Sequence, residues 1–181
     1  MTSQETALLI IDVQKAMDHP KWGNRNNPDA EKVMEKLLAF WRANTWPVVH
    51  IQDNSPDPKS PYHQGQPLHD FKPEVMPLEN ELVVGKTTGN AFVETELLDA
   101  LNERQICQLV VCGVHIQHCV DCTVRMAASF GFKVTLVSDG TVATEVTDTS
   151  GKLWVADDVH ALALTHLSSY ASIKNSAEII V

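Results

Sequence analysis

Short apolar runs alternate along the chain with stretches in which apolar residues recur at helical spacing. Five runs have the length and composition of strands covered on both faces: 7–11, 48–51, 82–85, 107–114 and 134–137. A weaker last strand is expected near Ile173 or Ile179. Helical spacing marks four stretches between them: one that begins at Asn27-Pro28-Asp29, one through Phe92 to Leu101, one from Val120 to Gly131, and 155–167.

Repeated alternation of strand and helix is typical of a parallel sheet with helices on both faces. The sequence therefore predicts an α/β fold, a single three-layer α/β/α domain over 1–181 with a mostly parallel sheet of about six strands. The segment 52–80 carries six prolines and no sustained period, which indicates a long surface loop. Loops of this length in a small domain are often functional.

Composition and charge exclude several classes of function. With 44% hydrophobic and 20% charged residues the chain has a globular composition. The 14 basic and 23 acidic residues leave a net charge of −9, which repels nucleic acid. No apolar run approaches the ~18 residues of a membrane span, and the first residues are polar, unlike a signal peptide. We expect a cytoplasmic protein that acts on a small molecule, with no nucleic-acid or membrane partner.

Three reactive side chains follow predicted strands. Asp12 ends the first, Lys86 follows the third, and Cys119 lies after the fourth, where the next helix begins. Because the carboxyl ends of parallel strands share one edge of the sheet, we expect the three side chains to meet there. A helix N-terminus and a lysine lower a thiol pKa, and a carboxylate can accept the thiol proton. Each residue alone also has a structural explanation, as a turn cap, a solvated lysine or a small buried residue.

Long segments of the chain resemble the isochorismatase-like cysteine hydrolases, a superfamily that includes nicotinamidases, carbamoyl amidases and isochorismatase itself. The resemblance rests on LLIIDVQ at 8–14, VVGKTTGNAFVETELLDAL at 83–101 and VVCGVHIQHCVDCTVRMAASFGFKVTLVSDGTVAT at 110–144. DHPKWGNRNNPDAE at 18–31 and DDVHALALTHL at 157–167 resemble an uncharacterised bacterial branch. The similarity extends over nearly the whole chain and is specific for the family, though not for a substrate.

The resemblance implies a catalytic triad of Asp12, Lys86 and Cys119, without a cofactor. It also implies a cis peptide between Val114 and His115, an oxyanion hole formed by the amides of His115 and Cys119, and a homo-oligomer, a dimer or larger. Since isochorismatases proper lack the cysteine and cleave a vinyl ether, Cys119 favours hydrolysis of a small amide or carbamoyl-type C–N bond through a thioester.

Two departures from the family pattern change the expected site. Many relatives have Thr-Asp where this chain has Ile116-Gln117, so a hydrogen bond from that threonine to substrate is absent. Nicotinamidases place an Asp-x-His metal cluster after the second strand, whereas this chain reads HIQDNSPDP there. We therefore expect no bound metal, with Asp53, His63 and His69 as ordinary polar residues of the loop.

Four further residues are candidates for the substrate pocket. Trp22 lies in the loop after the first strand and either lines the pocket or anchors that loop. Phe92 either lines the pocket or packs in the core. Gln117 and His118 precede the cysteine directly and are expected to line the pocket together with His115.

The cysteines also allow other interpretations. Cys119 and Cys122 form a CxxC motif, which in a cytosolic protein can be a redox pair. His115, His118, Cys119 and Cys122 together could invite zinc, although no second ligand pair lies elsewhere in the chain. Cys107 and Cys112 are expected to pack in a strand. A catalytically silent binding or assembly module on the same fold, or a vinyl ether hydrolase of the isochorismatase type, stays an alternative.

Overall fold

A six-stranded sheet lies at the centre of the computed structural model, which describes residues 3–180. Its strands are β1 Thr6–Ile11, β2 Val48–Asp53, β3 Leu82–Lys86, β4 Gln108–Val114, β5 Lys133–Val142 and, after a small hairpin, β8 Ala171–Lys174. The hairpin consists of β6 Val146–Thr147 and β7 Leu153–Trp154. The strand order is β3-β2-β1-β4-β5-β8, and every neighbouring pair is parallel.

Four α-helices cover the two faces of this sheet: α1 Ala30–Ala43, α2 Leu97–Glu103, α3 Asp121–Ser129 and α4 Ala156–Leu167. Alternate residues of the central strands point to opposite faces. On one face Leu8 and Ile10 pack with α1, and on the other Leu9 and Ile11 pack with α2 and α3. Leu167 of α4 joins the second cluster. The predicted α/β class with helices on both faces of a parallel sheet is confirmed.

Several predicted boundaries are wrong. The first helix begins at Ala30 instead of Pro28, because the predicted N-cap residue, Asn27, donates its side-chain amide to the carbonyls of Ser138 and Thr141, at 3.0 and 2.8 Å. The second begins at Leu97, so Phe92 precedes it. Strand β5 extends to Val142, beyond its predicted end at 137, and the hairpin β6–β7 was not predicted. Of the two positions proposed for the last strand, Ile173 lies in β8.

Close approach of β4 to β1 requires a glycine at position 113. Gly113 has a φ of 129°, and a Cβ there would lie 2.6 Å from the Ile11 nitrogen and would overlap the Ile11 carbonyl oxygen. This contact lies directly beside Asp12 and Val114, so the glycine fixes the spacing of the two strand ends from which the candidate site is built.

We expect Gly113→Ala to lower the free energy of unfolding by about 3 kcal/mol or more, since neither backbone can yield without separating β1 from β4. The measurement is urea denaturation followed by circular dichroism. Gly131→Ala is the matched control, because Gly131 also has a positive φ, 91°, but nothing lies within 4 Å of its added Cβ. A loss at Gly113 no larger than that at Gly131 would contradict the steric explanation.

No helix in the part of the chain that the structure describes is long and apolar enough to cross a membrane.

Candidate active site

The carboxyl ends of four adjacent strands supply the candidate site. Asp12 follows β1, Asp53 is the last residue of β2, and Lys86 is the last residue of β3. Cys119 lies in a π-helical turn, Ile116–Val120, which connects β4 to α3. Asp12 has a φ of 55°, a left-handed conformation uncommon for a residue other than glycine. The chain thus turns sharply at the carboxylate, a feature often found at functional sites.

The structure brings the three predicted catalytic residues together around the Lys86 ammonium. Lys86 Nζ lies 2.8 Å from Asp12 Oδ2 and 3.5 Å from Cys119 Sγ. It also lies 3.7 Å from Asp53 Oδ2. Lys86 is 1% exposed and Asp12 is 2% exposed, so this cation and its carboxylate partner are buried. A buried ammonium group is normally paired with anions, and two carboxylates pair with this one.

The Asp12 carboxyl group is suited to gain and lose a proton near neutral pH. Burial raises its pKa to about 6, Lys86 works in the opposite direction, and the negative charge of Asp53 adds to the rise. Its Oδ1 atom is buried and accepts no hydrogen bond within residues 3–180. Asp12 therefore offers a free lone pair in a carboxylate whose pKa suits a general base.

The resting state of Cys119 differs from the sequence expectation. Burial raises the pKa of the thiol, and the negative charge of Asp12 raises it further, while Lys86 lowers it. The expectation that the helix N-terminus and Lys86 would favour a free thiolate is therefore wrong, because burial and Asp12 outweigh them. Although burial disfavours its charge, Lys86 has a raised pKa because of Asp12, Cys119 and Asp53, so it stays protonated.

The cysteine lies at the wall of a cavity of about 330 Å³ that Asp12 and Asp53 also line. Three residues predicted for the pocket line it: Trp22, His115 and His118. Sequence reasoning missed three others, Ser55, Ser60 and Tyr62. All three belong to the long loop at 52–80, whose length was the available signal, but no periodic pattern indicates which of its side chains turn inward.

Trp22 forms a rigid part of the cavity wall. Its ring centroid lies 4.9 Å from that of His115 and 6.0 Å from that of Tyr62. Its indole nitrogen donates to the Ala16 carbonyl at 2.9 Å, which fixes the orientation of the ring. Three rings from separate segments thus form one aromatic wall.

Phe92 and Gln117 do not line this cavity, which corrects the expectation that they would. Phe92 is 9% exposed, and its ring packs against the buried Phe132 and the exposed Phe130. The Gln117 amide donates to the carbonyl and hydroxyl oxygens of Thr144, at 3.3 and 2.9 Å, and the residue lines a separate pocket with Val146 and Trp154. The Val114–His115 peptide is cis, as the family resemblance implies.

Asp53 is a component of the site rather than an ordinary loop residue, contrary to the sequence expectation. Its amide donates to Gln14 Oε1 at 2.8 Å, and Gln14 Nε2 donates back to its carbonyl at 3.1 Å. Gln14 is completely buried, so it holds the end of β2 against β1. His63 and His69 are loop residues, as expected. The His63 ring hydrogen bonds to the Ser55 carbonyl oxygen, and the His69 ring hydrogen bonds to Asn54 Oδ1.

The positions of the carboxylate, imidazole and thiol groups bear on the metal and redox interpretations of the site. Asp12, Asp53 and Cys119 place donor atoms within 4.8 Å of one another, the single such group found in residues 3–180. The Lys86 ammonium already neutralises this group and would repel a metal cation. His115, His118, Cys119 and Cys122 form no such group. In the proposed redox pair of Cys119 and Cys122, the Cys122 thiol donates to the Gly89 carbonyl, 3.0 Å away.

The fold and the site define a three-layer α/β protein with a thiol, an ammonium and a carboxylate at one edge of its sheet. The isochorismatase domain pattern matches residues 6–169. The chain belongs to the isochorismatase family, whose members are hydrolases.

Relatives and solved structures agree with this assignment. The isochorismatase family protein YrdC of Bacillus subtilis is 35% identical over 98% of this chain and 95% of its own. The streptothricin hydrolase of Streptomyces noursei is 34% identical over 91% of this chain and 64% of its own. A crystal structure of an isochorismatase-family protein from Chromobacterium violaceum superposes with a TM-score of 0.95, at 43% identity, and covers 99% of this chain and 94% of that one.

Proposed function

We propose that this protein is a cysteine hydrolase that cleaves a small amide or carbamoyl-type C–N bond through a thioester intermediate. The observation that carries the proposal is the arrangement around Cys119. Its Sγ lies 3.5 Å from the Lys86 ammonium, and a neighbouring carboxylate, Asp12, has an oxygen without a hydrogen-bond partner in the described chain. A nucleophile, a base and a fixed positive charge are the groups that acyl transfer requires.

In the first half of the reaction Asp12 removes the proton from Cys119 as the sulfur attacks the substrate carbonyl carbon. Lys86 stabilises the thiolate as it forms, which offsets the effect of burial on the thiol. The carbonyl oxygen becomes an oxyanion that accepts hydrogen bonds from the His115 and Cys119 amides at the π-helical turn. The C–N bond then breaks, and Asp12 delivers its proton to the departing amine or ammonia, which leaves a thioester on Cys119.

In the second half a water molecule takes the place of the amine. Asp12, again ionised, accepts a proton from this water while the oxygen attacks the thioester carbonyl. The C–S bond breaks, the acid is released, and the proton held by Asp12 returns to the sulfur. Overall, the reaction consumes one water molecule, breaks one C–N bond and releases one acid and one amine. It needs no oxidant or reductant.

The direct test is detection of the thioester. The protein is mixed with a panel of simple amides and ureas, quenched in acid within milliseconds to seconds, and weighed by intact-mass spectrometry, with ammonia measured in parallel. We expect ammonia release together with an acyl adduct that maps to Cys119. If Cys119→Ala releases ammonia as the parent does, and neither protein carries an adduct, covalent catalysis is refuted. Binding of amides without any turnover would instead favour the silent binding module.

The rate should depend on pH through Asp12. Because the base must be ionised and its pKa is about 6, we expect kcat/KM to fall about tenfold per pH unit below that value and to level off above it. The measurement is kcat/KM against pH, with circular dichroism at each pH as the control for unfolding. A rate that declines as the pH rises through 6 would assign Asp12 the opposite protonation state.

Cytoplasmic location and assembly into a dimer or larger oligomer stay predictions, for which fractionation and sedimentation velocity are the measurements.

A further inference from the structure

Three buried polar atoms around the cavity have no hydrogen-bond partner within residues 3–180. They are Asp12 Oδ1, Tyr62 Oη and His115 Nε2. Tyr62 and His115 are each 5% exposed, so bulk water does not readily supply the hydrogen bonds that these two atoms lack. Native proteins leave few buried polar atoms unpaired, because each one costs stability. Asp12 Oδ1 is explained as the proposed base, whereas the atoms on Tyr62 and His115 have no part in the chemistry of Cys119.

We propose that Tyr62 and His115 are substrate-binding residues that hydrogen bond an uncharged substrate, and that the cavity excludes substrates with a carboxylate. The proposal rests on the proposed function in one respect, since the scissile group is placed at Cys119. It goes beyond that function because it assigns substrate binding to two side chains and states that the substrate is uncharged.

The charges around the cavity are the first argument. Two lining residues are acids, Asp12 and Asp53, and none of the described lining residues is a lysine or an arginine. Lys86 lies behind these carboxylates and is paired with both of them. Lys21 is exposed at the rim, with its ammonium over the Trp22 ring at 4.3 Å. A substrate carboxylate would therefore enter a partly desolvated site with no unpaired cation inside it.

The histidines do not supply the missing cation. Burial lowers the pKa of His115 to about 4, and nearby His118, when protonated, Arg25 and Lys21 act in the same direction. Burial also lowers the pKa of His118. Both rings are neutral near pH 7, so His115 Nε2 offers a neutral donor or acceptor, depending on the tautomer.

The Tyr62 hydroxyl stays protonated and can therefore donate a hydrogen bond as a neutral group. Burial raises its pKa well above the usual value, and the charges of Asp12, Cys119 and Asp53 add to this effect. Tyr62 lines the same cavity as these three residues. Tyr62 and His115 flank Trp22 in the aromatic wall, and both residues line the cavity, so a flat substrate that lies along the wall passes beside both side chains.

The test measures binding separately from turnover. Three para-substituted benzamides of similar size serve as probes: 4-methylbenzamide, 4-(aminomethyl)benzamide and 4-carbamoylbenzoate. Their affinities for Cys119→Ala are measured by calorimetry, and ammonia release is measured with the parent protein. We expect the carboxylate to bind at least about tenfold more weakly than the methyl compound, and Asp53→Asn to narrow this difference. Equal or tighter binding of the carboxylate, or no binding of any probe, would overturn the proposal.

Tyr62→Phe, placed in the Cys119→Ala background, tests the hydrogen bond itself. We expect 4-methylbenzamide to bind about threefold to tenfold more weakly, while the unfolding midpoint stays the same or rises because an unpaired hydroxyl is removed. His115→Phe should weaken binding similarly. Tyr170→Phe is the matched control, since that ring is 42% exposed and lies under Arg125, and it should change neither quantity. Unchanged affinity in Tyr62→Phe would refute its role.

The two proposals fail in different ways. Binding of the uncharged probe without ammonia release from it or from any member of the amide and urea panel would refute the hydrolase and leave the selection of substrates intact. Ammonia release from the carboxylate probe as fast as from the methyl probe would refute the selection and leave the hydrolase intact.

Discussion

Replacement of Cys119 by alanine should lower kcat by roughly 10⁴-fold or more while the protein stays folded. The side chain supplies the only bond to the substrate acyl group in the proposed mechanism, and loss of a nucleophile typically costs this much because the remaining groups cannot replace it. Cys119 packs only partly buried against the core, and its change to alanine removes one sulfur atom, so the free energy of unfolding should change by about 1 kcal/mol or less. Initial rates of ammonia release and urea denaturation measure the two quantities.

Cys107→Ala is the control for this experiment. Cys107 is exposed, and its thiol lies 3.8 Å from a carboxylate oxygen of Glu5, so its removal deletes one thiol without changing a residue of the site. Activity should then equal that of the parent protein. Retention of full activity by Cys119→Ala would end the covalent mechanism, and an equal loss in both variants would point to a general effect of losing a thiol.

Replacement of Lys86 by methionine should lower kcat/KM by roughly 10²- to 10⁴-fold and shift two pH profiles. Methionine preserves the volume of the buried stem but removes the charge that lowers the pKa values of Asp12 and Cys119. The acid limb of the rate should move above pH 6, and labelling of Cys119 by iodoacetamide should require more alkaline pH. We also expect the free energy of unfolding to fall by about 2 to 4 kcal/mol, because Asp12 loses a buried partner 2.8 Å away.

Lys15→Met is the matched control. Its ion pair with Asp70 joins two exposed side chains, 42% and 69% accessible, so little stability depends on it. Neither pH profile should move. If labelling of Cys119 in Lys86→Met follows the parent profile, Lys86 has no part in controlling the thiol, and its role is limited to pairing the two carboxylates.

The strand-end rule identified most of the candidate chemistry in advance. Asp12, Lys86 and Cys119 follow strands of a parallel sheet, and such strands bring their carboxyl ends to one edge whatever the details of packing. The same rule applies to Asp53, which ends β2. The sequence nevertheless predicts a loop residue at this position, because prolines and polar residues follow Asp53 directly and hide the end of the strand.

Predictions about single side chains of loops and turns were less successful. Trp22, His115 and His118 line the cavity, but Phe92 packs against Phe130 and Phe132 instead. A loop side chain lacks the periodicity that assigns residues of a strand or helix to a face, so its direction depends on contacts with distant parts of the chain. Tyr62 shows this most clearly, since its neighbours in the wall, Trp22 and His115, come from elsewhere in the sequence.

The sequence by itself determined the fold class, the order of the elements and three reactive residues at one sheet edge. These follow from short-range patterns, namely apolar runs, helical spacing and the residue that ends each strand. Tertiary structure alone decided the protonation of Cys119, the place of Asp53 beside Lys86, and the cavity wall. Burial and the charges of Asp12, Lys86 and Asp53 govern the thiol pKa, and no local pattern contains the distances between these groups.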